Sequence, residues 1–181
     1  MSNIVHPLDS LSVEEIEKSV TLFKRDKNSD ENSVYSYIVL DEPDKEFVIN
    51  FKPGDSFSRK AKIIGIDSNS KGFEALIDLS NEEVVSIISL SENAGPTYTM
   101  VEIMTAIQLT LENEEYQEAL KKRGITDLNL IQMDPWPGGG IVNKNIKKGH
   151  RALKTISFLK ESPDDNAYAK PISGLISHVD V

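Results

Sequence analysis

The sequence contains no cysteine, which excludes disulfide frameworks, cysteine-ligated zinc, iron–sulfur clusters and thiol catalysis. Histidine is scarce: His6, His150 and His178 are the whole supply, and none stands in a His-x-His or His-x-x-x-His pair, so no metal role is expected for them. Basic residues are the minority charge, 20 Lys and Arg against 29 Asp and Glu for a net −9. Neutralising phosphates needs a basic surface, so neither nucleic acid nor an anionic membrane is expected as a partner. No run approaches the roughly 20 apolar residues of a membrane-spanning helix. The segment from Met1 to Pro7 has neither the positive start nor the apolar stretch of a signal peptide, and the expected location is the cytoplasm. What remains is ordinary for a folded protein, 39 % hydrophobic and 27 % charged, at a length between one large domain and two small ones.

Hydrophobic periodicity organises the chain. Ser12 and Glu15 have capping-box spacing, Leu11 precedes the cap, and Val13, Ile16, Val20 and Phe23 recur at helical intervals, which predicts an amphipathic helix over 11–25. From residue 33 the period shortens. Segments 34–40, 46–51, 61–66, 73–79 and 84–90 are rich in β-branched and aromatic residues and separated by turn clusters such as Lys52-Pro53-Gly54-Asp55, so all five read as strands. After Gly95-Pro96 the pattern begins again. Thr99 and Glu102 form another capping box, Met100, Ile103, Met104, Ile107 and Leu111 follow, and a second helical segment over 114–123 stops at Gly124. Strands are then expected at 128–133, 152–159 and 175–181, with an irregular stretch over 134–149. Helix then sheet, twice, predicts an α+β protein of two tandem small domains, 1–92 and 93–181, each a helix packed on an antiparallel sheet.

Most local motifs have a plain structural explanation. Asp67-Ser68-Asn69-Ser70-Lys71-Gly72 has the glycine of a calcium loop, but Lys71 stands where a ligand is needed and the flanks are strands, so a hairpin turn is expected. Gly138-Gly139-Gly140 lacks a following Gly-Lys-Ser/Thr and a helix, which leaves a connector rather than a phosphate cradle. Lys144, Lys147, Lys148, His150 and Arg151 form a basic cluster without aromatic platforms, read as a solvated loop. Asp164 and Asp165 sit in a turn composition, and adjacent carboxylates do not converge on one atom as a hydrolase would require. Trp136, between Pro135 and Pro137, fits either a core plug or an interface or channel wall.

An ordered series of motifs resembles the N-terminal region of copper-containing primary amine oxidases. It begins with His6-Pro7-Leu8-Asp9-Ser10-Leu11-Ser12 and Glu14-Glu15-Ile16, and continues through Ala75-Leu76-Ile77-Asp78-Leu79 and Glu83-Val84-Val85-Ser86. In the second half it runs through Lys122-Arg123-Gly124-Ile125 and Asp134-Pro135-Trp136-Pro137-Gly138, ending in Asp164-Asp165-Asn166-Ala167-Tyr168-Ala169-Lys170-Pro171-Ile172-Ser173-Gly174-Leu175.

The resemblance implies that 1–92 and 93–181 are the family's two small cystatin-like domains (N2-like and N3-like), which precede a catalytic β-sandwich domain. That domain is the expected partner, in a homodimeric parent enzyme that uses copper and topaquinone to convert primary amines to aldehyde, ammonia and hydrogen peroxide. No cofactor is expected in this chain. None of Tyr35, Tyr37, Tyr98, Tyr116 and Tyr168 follows an asparagine, as the topaquinone precursor does, and the copper histidines and catalytic aspartate have no counterpart. The resemblance implies a non-catalytic role, packing on the catalytic domain and lining the substrate channel with Ile103, Pro135, Trp136 and Tyr168. The alternative is a free-standing tandem α+β binding protein without enzymatic activity.

Overall fold

The structure, a computed structural model, describes residues 4–91, 94–139, 144–146 and 150–181. The chain divides into two compact units, Met1–Thr97 and Tyr98–Val181, each combining helix with one antiparallel sheet. The boundary expected at 92/93 falls on residues outside those described.

In the first unit, α1 (Val13–Arg25) starts on a complete capping box: the Glu15 amide donates to Ser12 Oγ (3.2 Å) and the Ser12 amide to Glu15 Oε2 (2.9 Å). Strands β1 (Val34–Leu40), β2 (Lys60–Ile66), β3 (Gly72–Asp78) and β4 (Glu83–Ser89) form a sheet in sequence order. Alternation turns Ala61, Ile63, Phe73, Ala75 and Ile77 inward onto Phe23, while Lys62, Ile64, Glu74 and Leu76 lie on the other face. The Phe23 and Phe73 rings stack with centroids 5.1 Å apart, and Tyr35 meets Phe23 edge-on at 5.8 Å. Gly65 makes that packing possible, because a Cβ there would lie 2.5 Å from Val34 O and 2.9 Å from the Phe73 ring.

The segment expected as a strand over 46–51 is instead a short helix, α2 (Lys45–Asn50), in the connection between β1 and β2. Strand propensity is a weak prior that packing overrides; β1 pairs with β2 across this connection, and the segment packs its aromatic side chains with one another instead. The helical turn brings Phe47 and Phe51 together (centroids 6.3 Å), with Phe57 and His6 against Phe51 at 5.6 and 5.1 Å.

In the second unit, α3 (Met100–Glu112) and α4 (Glu114–Lys121) meet at Asn113, which caps α4 through the Tyr116 amide (2.9 Å). Gly124, at φ +77°, carries the chain out of α4 in a conformation that favours glycine. Residues Leu128–Leu130 form a 3-10 turn, so the strand expected over 128–133 begins late, at β5 (Ile131–Pro137). Strands β6 (Ala152–Leu159) and β7 (Pro171–Asp180) complete a sheet in the order β5-β6-β7; β7 starts four residues earlier than expected.

The stretch expected to be irregular from residue 134 is strand as far as Pro137. The reason is register. The Gly138 amide donates to Ala152 O and Leu130 O accepts from Lys160, so even-numbered residues of β5 bond toward β6 and odd-numbered ones face the open edge. Pro135 and Pro137 occupy edge-facing positions, where a missing N–H breaks no ladder bond.

Beneath α3 and α4 the second core holds Ala106, Tyr116, Leu120, Met133 and Leu153. It also holds buried hydroxyls in pairs: Tyr116 Oη lies 2.7 Å from Ser157 Oγ, and Thr110 Oγ1 lies 3.3 Å from Thr155 Oγ1.

Candidate functional site

Strand alternation separates the four residues expected to line a channel. Pro135 pairs with Thr155 and Trp136 with Lys154. Thr155 is buried beneath α3, so Pro135 lies on the helix side of the sheet and Trp136 on the opposite, open face. Ile103 lies three and seven residues before the buried Ala106 and Thr110, a spacing that puts it on the sheet-facing stripe of α3. Pro135 and Ile103 therefore belong to the helix–sheet layer, and Trp136 to the open face. Tyr168 stands edge-on against Phe158, centroids 5.1 Å apart. Phe158 shares the open face with Lys154, four residues or about 13 Å along β6 from the Trp136 position.

The open face carries exposed apolar side chains among charged ones, Asp134 and Lys154 lying on it with Trp136. Trp136, Tyr168 and Ile176 are 55 %, 52 % and 59 % exposed, and Ile156, paired with both Asp134 and Ile176, lies between the two aromatics. The indole of Trp136 is no core plug. It is held on the surface by its Nε1–H, which donates to Asp134 Oδ2 at 2.8 Å.

Sequence reasoning missed the two most connected polar clusters. In the first unit the buried Arg59, just before β2, donates from Nε and Nη2 to the two carboxylate oxygens of Glu15 (both 3.0 Å). It also donates to the carbonyls of Pro7 (3.1 Å), Asp9 (2.7 Å) and Ser10 (3.2 Å). In the second unit Arg151, just before β6, donates from Nε and Nη2 to Glu102 Oε1 and Oε2 (2.5 and 3.2 Å). Its guanidinium carbon also lies 4.2 Å from the Tyr98 ring centroid. Both glutamates are the third residue of a capping box, a spacing that marked them as caps only. Arg151 had read as part of a solvated basic loop; its side chain is only 16 % exposed, because the pair with Glu102 draws it against α3.

Burial raises the pKa of both glutamates, but the bonds outweigh it. The Arg59 pair and the Ser12 amide hold Glu15 below the ordinary value, and the Arg151 pair with the Thr99 amide and hydroxyl does the same for Glu102.

The remaining motifs resolve as local structure. Asp67 Oδ1 accepts from the amides of Asn69 and Lys71 and closes the β2–β3 turn, which spends the carboxylate a calcium loop would need. Asp165 accepts from the Glu161 and Asn166 amides in the β6–β7 connection. His150 pairs with Asp180 at 2.7 Å. Gly140, Lys147 and Lys148 lie outside the described residues. A copper site needs several convergent donors; among the described residues no three His, Cys, Asp or Glu side chains come together. His6 Nδ1, moreover, accepts from the Leu8 amide (3.1 Å). The described residues do not fit the family's copper or quinone. No helix among them is long and apolar enough to cross a membrane.

Comparison with known proteins agrees with this architecture. The copper amine oxidase N2 domain matches residues 6–89, and the N3 domain of the same family matches residues 101–181. A primary amine oxidase of Arthrobacter sp. (strain P1) is 31 % identical over 98 % of this chain and 27 % of its own length. One from Klebsiella aerogenes is 32 % identical over 97 % of the chain and 23 % of its own length. The crystal structure of a copper-containing benzylamine oxidase from Hansenula polymorpha shares the fold, with a TM-score of 0.70 at 18 % identity, over 93 % of this chain and 27 % of that one. The chain thus spans about a quarter of the length of the relatives it matches. Two family domains in order, each matching one α+β unit, place this chain in the copper amine oxidase family as its N2 and N3 domains.

Proposed function

We propose that this chain is the non-catalytic N-terminal portion of a primary amine oxidase, which packs on a catalytic domain and helps form its substrate channel. The parent reaction would be oxidation of primary amines to aldehyde, ammonia and hydrogen peroxide, with copper and topaquinone held by the catalytic domain of a homodimer. The observation that carries the reading is the open sheet face of the second unit. It presents Trp136, Tyr168 and Ile176 to solvent, and exposed apolar side chains grouped on one face mark a docking or ligand-guiding surface. Trp136 and Tyr168 are the aromatic wall elements, able to pack on the apolar part of an amine or on the ammonium through the ring face. Pro135 and Ile103, set behind them in the helix–sheet layer, fix the shape of that wall.

In a full-length enzyme carrying these domains, Trp136→Ala and Tyr168→Ala should change KM for bulky aryl amines several-fold. KM for the smallest alkyl amines should stay near its original value, because only large substrates fill the wall. The 181-residue chain by itself should release no peroxide from primary amines. Turnover by that chain, or unchanged size selectivity in both variants, would sink the reading.

A further inference from the structure

The sheet face and the start of α3 are tied together at one point, and that point lies between the proposed wall residues. We propose that Glu102, Arg151 and Tyr98 form a positioning cluster that sets the place of Ile103, Pro135 and Trp136; the proposal rests on the channel-wall reading above.

The connections converge on two consecutive residues, Arg151 and Ala152. Ala152 O accepts from the Gly138 amide at the end of β5 (2.8 Å) and from Tyr98 Oη at the approach to α3 (2.8 Å). A carbonyl has two lone pairs, and these two donors come from the two elements that carry the wall. Arg151 O accepts from the Val181 amide beyond β7 (2.9 Å), while the Arg151 side chain forks onto Glu102 and covers the Tyr98 ring. Glu102 directly precedes Ile103. Pro137 pairs with Leu153 and Trp136 with Lys154, so the wall end of β5 is one step from the same two residues.

The end of β5 depends on such an anchor more than an ordinary strand would. Among the described residues it is an edge strand with β6 on one side only, and Pro135 and Pro137 have no N–H to donate on the other. The fork on Glu102 also has directional content that a single lysine charge lacks, because two parallel N–H groups fix the angle as well as the distance. The same fork joins Glu15 and Arg59 in the first unit, away from Ile103, Pro135 and Trp136 in sequence and in unit, and it supplies an internal control.

The test uses the 181-residue chain, in which Trp136 is the sole tryptophan. Its fluorescence anisotropy is read alongside amide exchange at Gly138 and, as a mid-strand reference, at Ile156. Arg151→Gln should lower the Trp136 anisotropy and speed Gly138 exchange about tenfold while the Ile156 amide keeps its rate. Arg151→Lys should recover only part of the loss, and Arg59→Gln should leave both Trp136 and Gly138 as they were. Unchanged anisotropy and exchange in folded Arg151→Gln would overturn the proposal. So would equal acceleration at Gly138 and Ile156, which is what a general loss of stability produces. If Arg151→Gln does not fold, Tyr98→Phe removes only the hydroxyl donor to Ala152 O; faster Gly138 exchange then supports the proposal and an unaltered rate overturns it. The wall reading fails on different data, unchanged amine selectivity in both the full-length Trp136→Ala and Tyr168→Ala enzymes.

Discussion

The two units share a frame and differ in how they fill it. Each begins with a helix whose capping-box glutamate is gripped by an arginine standing just before the central part of the sheet, Glu15 by Arg59 and Glu102 by Arg151. Between helix and sheet, the first unit places Phe23 against Phe73, Ile63 and Ile77. The second places the hydroxyl pairs Tyr116–Ser157 and Thr110–Thr155 among its apolar contacts. Apolar area stabilises without direction, so the first interface is held by amount of contact. Hydroxyl pairs are satisfied in one registration only, so the second interface trades some area for a fixed alignment of helices over strands. The unit whose residues are proposed to meet substrate is the one with directional contacts in its core.

The largest effect expected from breaking this comparison is at Phe23. Phe23→Ala should destabilise the first unit by about 3–5 kcal/mol through the cavity it leaves. In denaturant titrations the Trp136 signal from the second unit should keep its midpoint while the total helix signal loses its early part.

Next come the arginine forks. Arg59→Met strands the Glu15 carboxylate and three backbone carbonyls, and should cost about 2–4 kcal/mol, near the range for a broken buried pair. Arg151→Met should cost less, since that pair is more exposed (16 % and 17 % against 8 % and 15 %); chemical denaturation of the two variants ranks them.

A sharper probe of the hydroxyl contacts is Tyr116→Phe, which leaves Ser157 Oγ without that partner. It should lose about 1–2 kcal/mol, and the double variant Tyr116→Phe/Ser157→Ala should recover part of it in a thermodynamic cycle. Ser12→Ala and Thr99→Ala should each cost about 1 kcal/mol, and near-equal losses would confirm that the shared frame is energetically shared too.

The smallest expected effect is the pH dependence of stability near neutrality. Glu15 and Glu102 are both held below the ordinary 4.5, so each contributes stability that is fully present above that value. The contribution is lost as pH falls through the depressed folded-state values. Stability should therefore fall less steeply below pH 4.5 in Glu15→Gln and Glu102→Gln than in the parent chain, with little pH dependence from either group at pH 7.

Much of this could be read in the residues. Capping boxes and helical stripes located α1 and α3, because an N-cap and its third residue interact locally whatever else the chain does. Alternating apolar residues located β2 and β3 for a related reason, since period-two burial is written residue by residue. The 46–51 segment was misread because its composition suits a strand, whereas in the fold it packs its aromatics in a helical turn within the β1–β2 connection. The Asp134-Pro135-Trp136-Pro137 segment was misread in the opposite sense, since prolines argue against a strand unless the register puts both at an open edge. Of the candidate site, the four residue identities came from family resemblance; their division between the helix–sheet layer and the open face came from pairing.

The sequence by itself determined the α+β alternation, the starts of α1, α3 and α4, and the family, all of which rest on local spacing or ordered motifs. Only the tertiary structure decided which glutamate meets which arginine, that Trp136 turns outward while Pro135 turns in, and that Ala152 O joins α3 to β5. Those outcomes depend on strand register and on partners 44 to 54 residues apart, and a one-residue slip would reverse the faces.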